Sequence, residues 1–130
     1  MRKELKVKMS WLSKENWDNL INEGYLPVLA IKHPKRYMKT PIHFQDLAFK
    51  QKPYESLEES KDIYWDMLTE KVNPWKILNT FDILAHLAGA TGIVILTEKK
   101  DDPFREILGK FLDGFLDEKI TEYDWNRENC

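Results

Sequence analysis

The chain has 130 residues, of which 42% are hydrophobic and 12% aromatic, and its formal net charge is -2. This length predicts a single domain, 1–130, with a sizeable core. No apolar run approaches the roughly 18 residues of a membrane span, and the basic start of the chain lacks the apolar block of a signal peptide. We therefore expect a cytoplasmic protein with no membrane partner.

Charge is unevenly distributed along the chain. Residues 1–53 carry 11 Lys and Arg against 5 Asp and Glu, whereas residues 54–130 carry 9 against 17. This division indicates either an anion-facing surface on the first half or attraction between the two halves within one fold. The sequence pI near 5.9 is not typical of a general nucleic-acid binder, so nucleic acid is the less favoured partner.

The first half of the chain predicts two strands, one helix and a long loop. Apolar residues alternate with lysine over 5–9, which predicts a half-buried strand. Ser13 and Gly24 are placed to begin and end a helix. The apolar run 25–31 predicts a second, more central strand, in which a proline fits only near the start. Three prolines exclude a long helix over 32–59, which we interpret as an ordered loop with short extended pieces.

The second half predicts three helices and one buried strand. The helices cover about 58–71, 74–88 and 103–116, and the strand covers 93–96. Asn73 caps the second helix, Gly89 ends it, and Asp101 or Asp102 caps the last one. Strands separated by helices predict an α/β fold with a small, mostly parallel sheet and helices packed on its faces. We place the core at about 5–117 and a charged C-terminal tail at 118–130.

Two polar segments follow the predicted strands and form the candidate site. The basic segment 32–39 follows the second strand, and the turn 97–105 joins the third strand to the last helix. Carboxyl ends of parallel strands lie at one edge of a sheet, so we expect the two segments to meet there. The unpaired N–H groups at the helix start favour an anion, although a solvated loop and a simple helix cap explain the same residues. The candidate ligand-binding residues are Lys35, Arg36, Tyr37, His43, Glu98, Lys99 and Arg105.

Other chemistry is not indicated. The three histidines, His33, His43 and His86, have no metal-site spacing, and the single cysteine, Cys130, is the last residue. The sequence contains no glycine-rich phosphate loop and no Gly-x-Ser-x-Gly motif. We therefore expect no metal and no cofactor, and no catalytic pair can be assigned.

The order of several short motifs resembles the bacterial domain of unknown function family 488 over about residues 5–117. The matching pieces are Leu26-Pro-Val-Leu-Ala-Ile31, Pro34-Lys-Arg-Tyr37, Phe44-Gln-Asp-Leu-Ala48 and Ile93-Val-Ile-Leu-Thr-Glu-Lys99. The resemblance implies a small α/β domain with a site at the start of the last helix, but it implies no particular reaction.

One departure from that family concerns the start of the last helix. Where the family has Cys-His-Arg, this chain has Pro103, Phe104 and Arg105. A cysteine at a helix start has a lowered pKa and can act as a nucleophile, whereas proline and phenylalanine cannot. Any activity that depends on the missing pair is therefore not expected here.

Three functional interpretations follow from these residues. The first is a non-catalytic binding module for an anionic small molecule or nucleotide. The second is a protein-interaction or inhibitor domain, or a homodimer, which would account for five tryptophans in a short chain. The third is an enzyme that uses His43 or Glu98 as a base, with Arg36 and Arg105 positioning the substrate.

Overall fold

Five strands and four helices form in the part of the chain that the computed structural model describes, namely residues 5–30, 42–44, 47–49, 52–97 and 102–122. The elements are β1 (Val7–Trp11), α1 (Lys14–Asn22), β2 (Tyr25–Leu29), β3 (Ile42–His43), α2 (Leu57–Lys71), α3 (Pro74–Ala88), β4 (Gly92–Thr97), α4 (Pro103–Asp113) and β5 (Thr121–Glu122). The predicted α/β class is confirmed.

The strands form one parallel sheet in the order β3-β2-β4-β1-β5. Three longer strands make its centre, and β4 lies between β2 and β1. Leu96 of β4 is level with Leu29 of β2 on one side and with Ser10 of β1 on the other. The outer strands β3 and β5 have two residues each, and β5 lies in the segment that the sequence marks as a charged tail.

Pro27 lies inside β2, opposite Val94, rather than only near its start. The Ala30 amide donates to Leu96 of β4, and neighbouring residues of a strand point to opposite sides. The Pro27 nitrogen, which carries no hydrogen, therefore faces β3 and not β4. The two described residues of β3 pair with Val28 and Leu29 only, so the proline removes no ladder hydrogen bond there.

The two faces of the sheet carry separate apolar clusters. Ile93 and Ile95 face the larger cluster, to which α2, α3 and α4 contribute. Val94 and Leu96 face the smaller one, which α1 completes with Trp17 and Leu20. All six residues of β4 are buried, as expected for a parallel strand covered on both faces.

Local signals set the helix ends. The Asn73 side chain accepts hydrogen bonds from the amides of Trp75 and Lys76, and Gly89 ends α3 in the left-handed conformation with φ 65°. Asp102, rather than Asp101, caps α4. The last helix ends at Asp113, before the predicted 116, although Leu116 is still buried in the core.

Gly92 is required by the close approach of β4 to the segment before β1. A Cβ at this position would lie 2.8 Å from the carbonyl oxygen of Lys6 and 3.3 Å from Cε1 of Tyr25. The Ile93 amide donates to that same carbonyl oxygen at 2.9 Å, so the approach is part of the sheet ladder. Within the described residues, no helix is long and apolar enough to cross a membrane.

Candidate functional site

The connections that leave β1 and β4 cross each other and cover opposite faces of the sheet, with α1 on one face and α4 on the other. From β1 the chain passes through α1 to β2, whereas from β4 it passes through α4 to β5 on the opposite side. In open α/β sheets, ligands bind in the crevice outside the carboxyl ends of the strands. The crevice here begins at Trp11 and Thr97, which are level with each other.

Hydrogen bonds fix the strand ends at this crevice. The Leu12 amide donates to the Thr97 carbonyl oxygen at 2.8 Å, and the Thr97 hydroxyl lies 3.5 Å from the carbonyl oxygen of Ser10. Thr97 and Ser10 are both buried. The crevice therefore has a rigid base of paired backbone and hydroxyl groups.

Arg105 is the predicted site residue whose side chain the structure describes. It lies in the first turn of α4 and is half-buried. Its Nη1 donates to the Thr97 hydroxyl at 3.1 Å, which ties the guanidinium to the carboxyl end of β4. Asp102 caps the same turn by accepting from the Phe104 amide at 2.9 Å. Local sequence thus places a fixed cation beside a helix start.

An open cleft of about 440 Å³ extends from Arg105 along α4. One wall is α4, and the other is the segment that leads into β5. Met9 and Ile120 contribute apolar surface, and charged side chains of both signs surround it. The lining residues are Met9, Asp102, Arg105, Glu106, Gly109, Lys110, Asp113, Lys119, Ile120 and Thr121. This volume lies within the usual range for small-molecule sites.

Gly109 lies where α4 passes the Met9 side chain of β1 along this cleft. A Cβ at this position would lie 3.2 Å from the Met9 sulfur. The glycine thus leaves space on the helix surface that faces the cleft, at the cost of a weaker helix interior.

Tyr64 packs against Phe104 at the start of α4. Its hydroxyl donates to the carbonyl oxygen of Leu47, and its ring contacts Phe49 and Phe104 at centroid distances of 5.2 and 5.8 Å. Burial raises the pKa of the Tyr64 hydroxyl well above its ordinary value, and the nearby Asp102 carboxylate raises it further. Tyr64 is therefore a neutral anchor that joins α2, the segment after β3 and α4.

Most of the other predicted site residues lie outside the described residues. These are Lys35, Arg36, Tyr37, Glu98 and Lys99. The backbone of His43 forms the end of β3, level with Leu29 of β2. Since β2 and β4 are parallel neighbours, the segments that follow them leave the sheet at adjoining positions of one edge. The carboxyl ends of β2 and β4 are therefore adjacent, but the segment 32–39 lies outside the described residues, and its meeting with the turn 97–105 stays a prediction.

The far wall of the cleft was not predicted from the sequence. Asp113 accepts from the Ile120 amide at 2.8 Å, and this bond holds the segment before β5 against the end of α4. The sequence signal was present but weak, since Ile120 and Thr121 are a strand-like pair in a charged segment. The pairing of β5 with β1 spans most of the chain, so no local pattern predicts it.

No family model, curated protein or solved structure matches this chain. Among the residues that the structure describes, no group of three or more His, Cys, Asp and Glu is arranged to hold a metal ion.

Proposed function

We propose that the carboxyl edge of the sheet binds an anionic small molecule or nucleotide, without catalysis, and that Arg105 is its main contact. One observation carries this proposal. The Arg105 guanidinium is held by the Thr97 hydroxyl at the carboxyl end of β4, and it opens onto a cleft of about 440 Å³.

Arginine suits this role because of its geometry. A guanidinium presents five N–H donors in a planar fork that matches the oxygen spacing of carboxylates and phosphates. The bond to Thr97 orients this fork before any ligand arrives, which reduces the entropy lost on binding. The positive end of the α4 dipole adds to the attraction for an anion.

The predicted loop residues belong to the same proposal. Lys35, Arg36 and Tyr37 come after β2 in the sequence, His43 ends β3, and Glu98 and Lys99 come after β4. We regard them as further ligand contacts. We also propose that the chain is a divergent member of the family that its motifs resemble, and that Arg105 corresponds to the arginine of the family's Cys-His-Arg motif. The missing cysteine and histidine favour binding over catalysis.

Calorimetric titration with inorganic phosphate and with adenosine monophosphate tests the proposal. We expect Arg105→Gln to weaken binding about tenfold or more, since a charge-assisted fork is lost. Lys76→Gln is the matched control, because it removes the same charge from an exposed position of α3, outside the cleft. Equal affinity of both variants for a bound anion, or no binding by the unmodified chain, would refute the proposal.

A homodimer is the second candidate, and the exposed apolar side of α3 favours it. Trp75, Ile83 and Leu87 are 38, 60 and 78% exposed and lie at i, i+8 and i+12. Residues spaced by four along a helix form a ridge on its surface, and two identical helices can pack with these ridges interdigitated. A two-fold axis places the same ridge in the interface on both copies. Light scattering of the unmodified chain and of Leu87→Glu tests this candidate. A monomer in both samples would eliminate it.

A further inference from the structure

The cleft beside α4 carries opposite fixed charges at its two ends. Arg105 and Asp113 both line it, and both are half-buried. Thr97 holds the guanidinium at one end, and the Ile120 amide holds the carboxylate at the other. The two Cα atoms are about 12 Å apart along the helix axis, at 1.5 Å per residue.

Asp102 is also fixed, as the cap of α4, whereas the remaining charges of the cleft are less constrained. Glu106 and Lys110 pair with each other at 3.4 Å, and their side chains are 75 and 70% exposed. Such a surface pair is screened by solvent and contributes little to recognition inside the cleft. Lys119 is exposed, and its long side chain can keep its ammonium in water.

Charge balance in the cleft disfavours a ligand with two negative groups. Three carboxylates, those of Asp102, Glu106 and Asp113, face three cationic side chains of the lining. A second anionic group placed along α4 would approach Asp113, and juxtaposed like charges oppose binding. A cationic group there would meet a positioned carboxylate, which has acceptor sites beyond the one that Ile120 uses.

We propose that the ligand of this cleft is an extended zwitterion, with its anionic group at Arg105 and its cationic group at Asp113. Met9 and Ile120 provide apolar surface for the carbon chain between them. An α-amino acid is too short to reach both ends, so the class is an ω-amino acid, or a larger molecule with a carboxylate and an amine at opposite ends. This inference rests on the proposed anion site.

Calorimetric titration with ε-aminocaproate, caproate and hexylamine tests the inference on the full chain. We expect ε-aminocaproate to bind about tenfold more tightly than either singly charged analogue. Asp113→Asn should remove this preference, because asparagine keeps an oxygen for the Ile120 amide but carries no charge. Caproate binding by the same variant should be kept, which shows that the cleft is folded. Glu70→Gln is the control, because it removes a carboxylate from an exposed position of α2 outside the cleft, and it should leave the preference unchanged.

When the probes bind, two results would overturn the inference while the anion site stands. One is equal affinity for caproate and ε-aminocaproate, and the other is an unchanged preference in Asp113→Asn. If none of the three probes binds but inorganic phosphate does, the zwitterion is again excluded. If no probe and no phosphate binds, the proposed function fails with it.

Discussion

Tyr64→Phe tests whether the buried hydroxyl anchors the segment after β3. The substitution keeps the ring and its contacts with Phe49 and Phe104, and it removes the donor to the Leu47 carbonyl oxygen. Tyr64 and Leu47 are 2 and 1% exposed, so water does not replace the lost bond. An unsatisfied buried acceptor costs about 1–3 kcal/mol, and we expect the free energy of unfolding to fall by that amount.

Urea unfolding followed by tryptophan fluorescence measures this change, with the m-value as a check on two-state behaviour. Tyr54→Phe is the matched control, because Tyr54 is 79% exposed and the same atom is removed there. If both variants lose the same small free energy, the hydroxyl of Tyr64 does not stabilise the fold and the anchor described above is refuted.

We also expect the free energy of unfolding of the unmodified chain to depend on pH in a way that Tyr64→Phe does not share. Burial and the Asp102 carboxylate raise the pKa of folded Tyr64, whereas the unfolded chain has the ordinary value of about 10. Above that value the unfolded chain loses a proton that the folded chain keeps. The contribution of Tyr64 to stability is complete below about pH 10 and then falls by up to about 1.4 kcal/mol per pH unit until the folded pKa is reached. Tyr64→Phe should lack this component, and parallel stability curves for the two proteins would contradict it.

Three further substitutions have expected effects on the free energy of unfolding, each measured by urea titration. Gly92→Ala should lower it by about 1–3 kcal/mol, because the new Cβ would lie 2.8 Å from the backbone oxygen of Lys6; no loss would mean that the strands separate freely. Asn73→Ala should lower it by about 1 kcal/mol through loss of the α3 cap, whereas Asn73→Asp should not. Gly109→Ala should raise it by up to about 1 kcal/mol, since the flexible Met9 side chain can move away; a clear loss would show that the contact is rigid.

The parts of the fold that the sequence predicts are those set by neighbouring residues. Asn73 and Gly89 bound α3 as expected, because caps depend on one or two adjacent turns. The buried strand β4 and the periodic helix after it were also recognisable. By contrast, the pairing of β5 with Lys8 and Met9 joins distant parts of the chain, and two residues carry no periodicity.

The candidate site also contains residues that neighbouring sequence predicts and residues that it does not. Arg105 was predicted because strand, turn and helix are consecutive, and its bond to Thr97 spans only eight residues. Asp113 was not, because its role depends on Ile120 lying against the end of α4. A carboxylate near a helix end is otherwise indistinguishable from a solvated one. The cleft therefore could not be predicted from the sequence, whereas the edge of the sheet at which it begins could.

The two short outer strands limit how copies of this chain can associate. A long, flat outer strand offers a row of unpaired amides and carbonyls on which a foreign strand can assemble, and this row is a common route to aggregation. In the described residues, each outer strand offers only two positions for such templating. Within the described part of the chain, the outer strands therefore offer little backbone for pairing with a strand of another molecule.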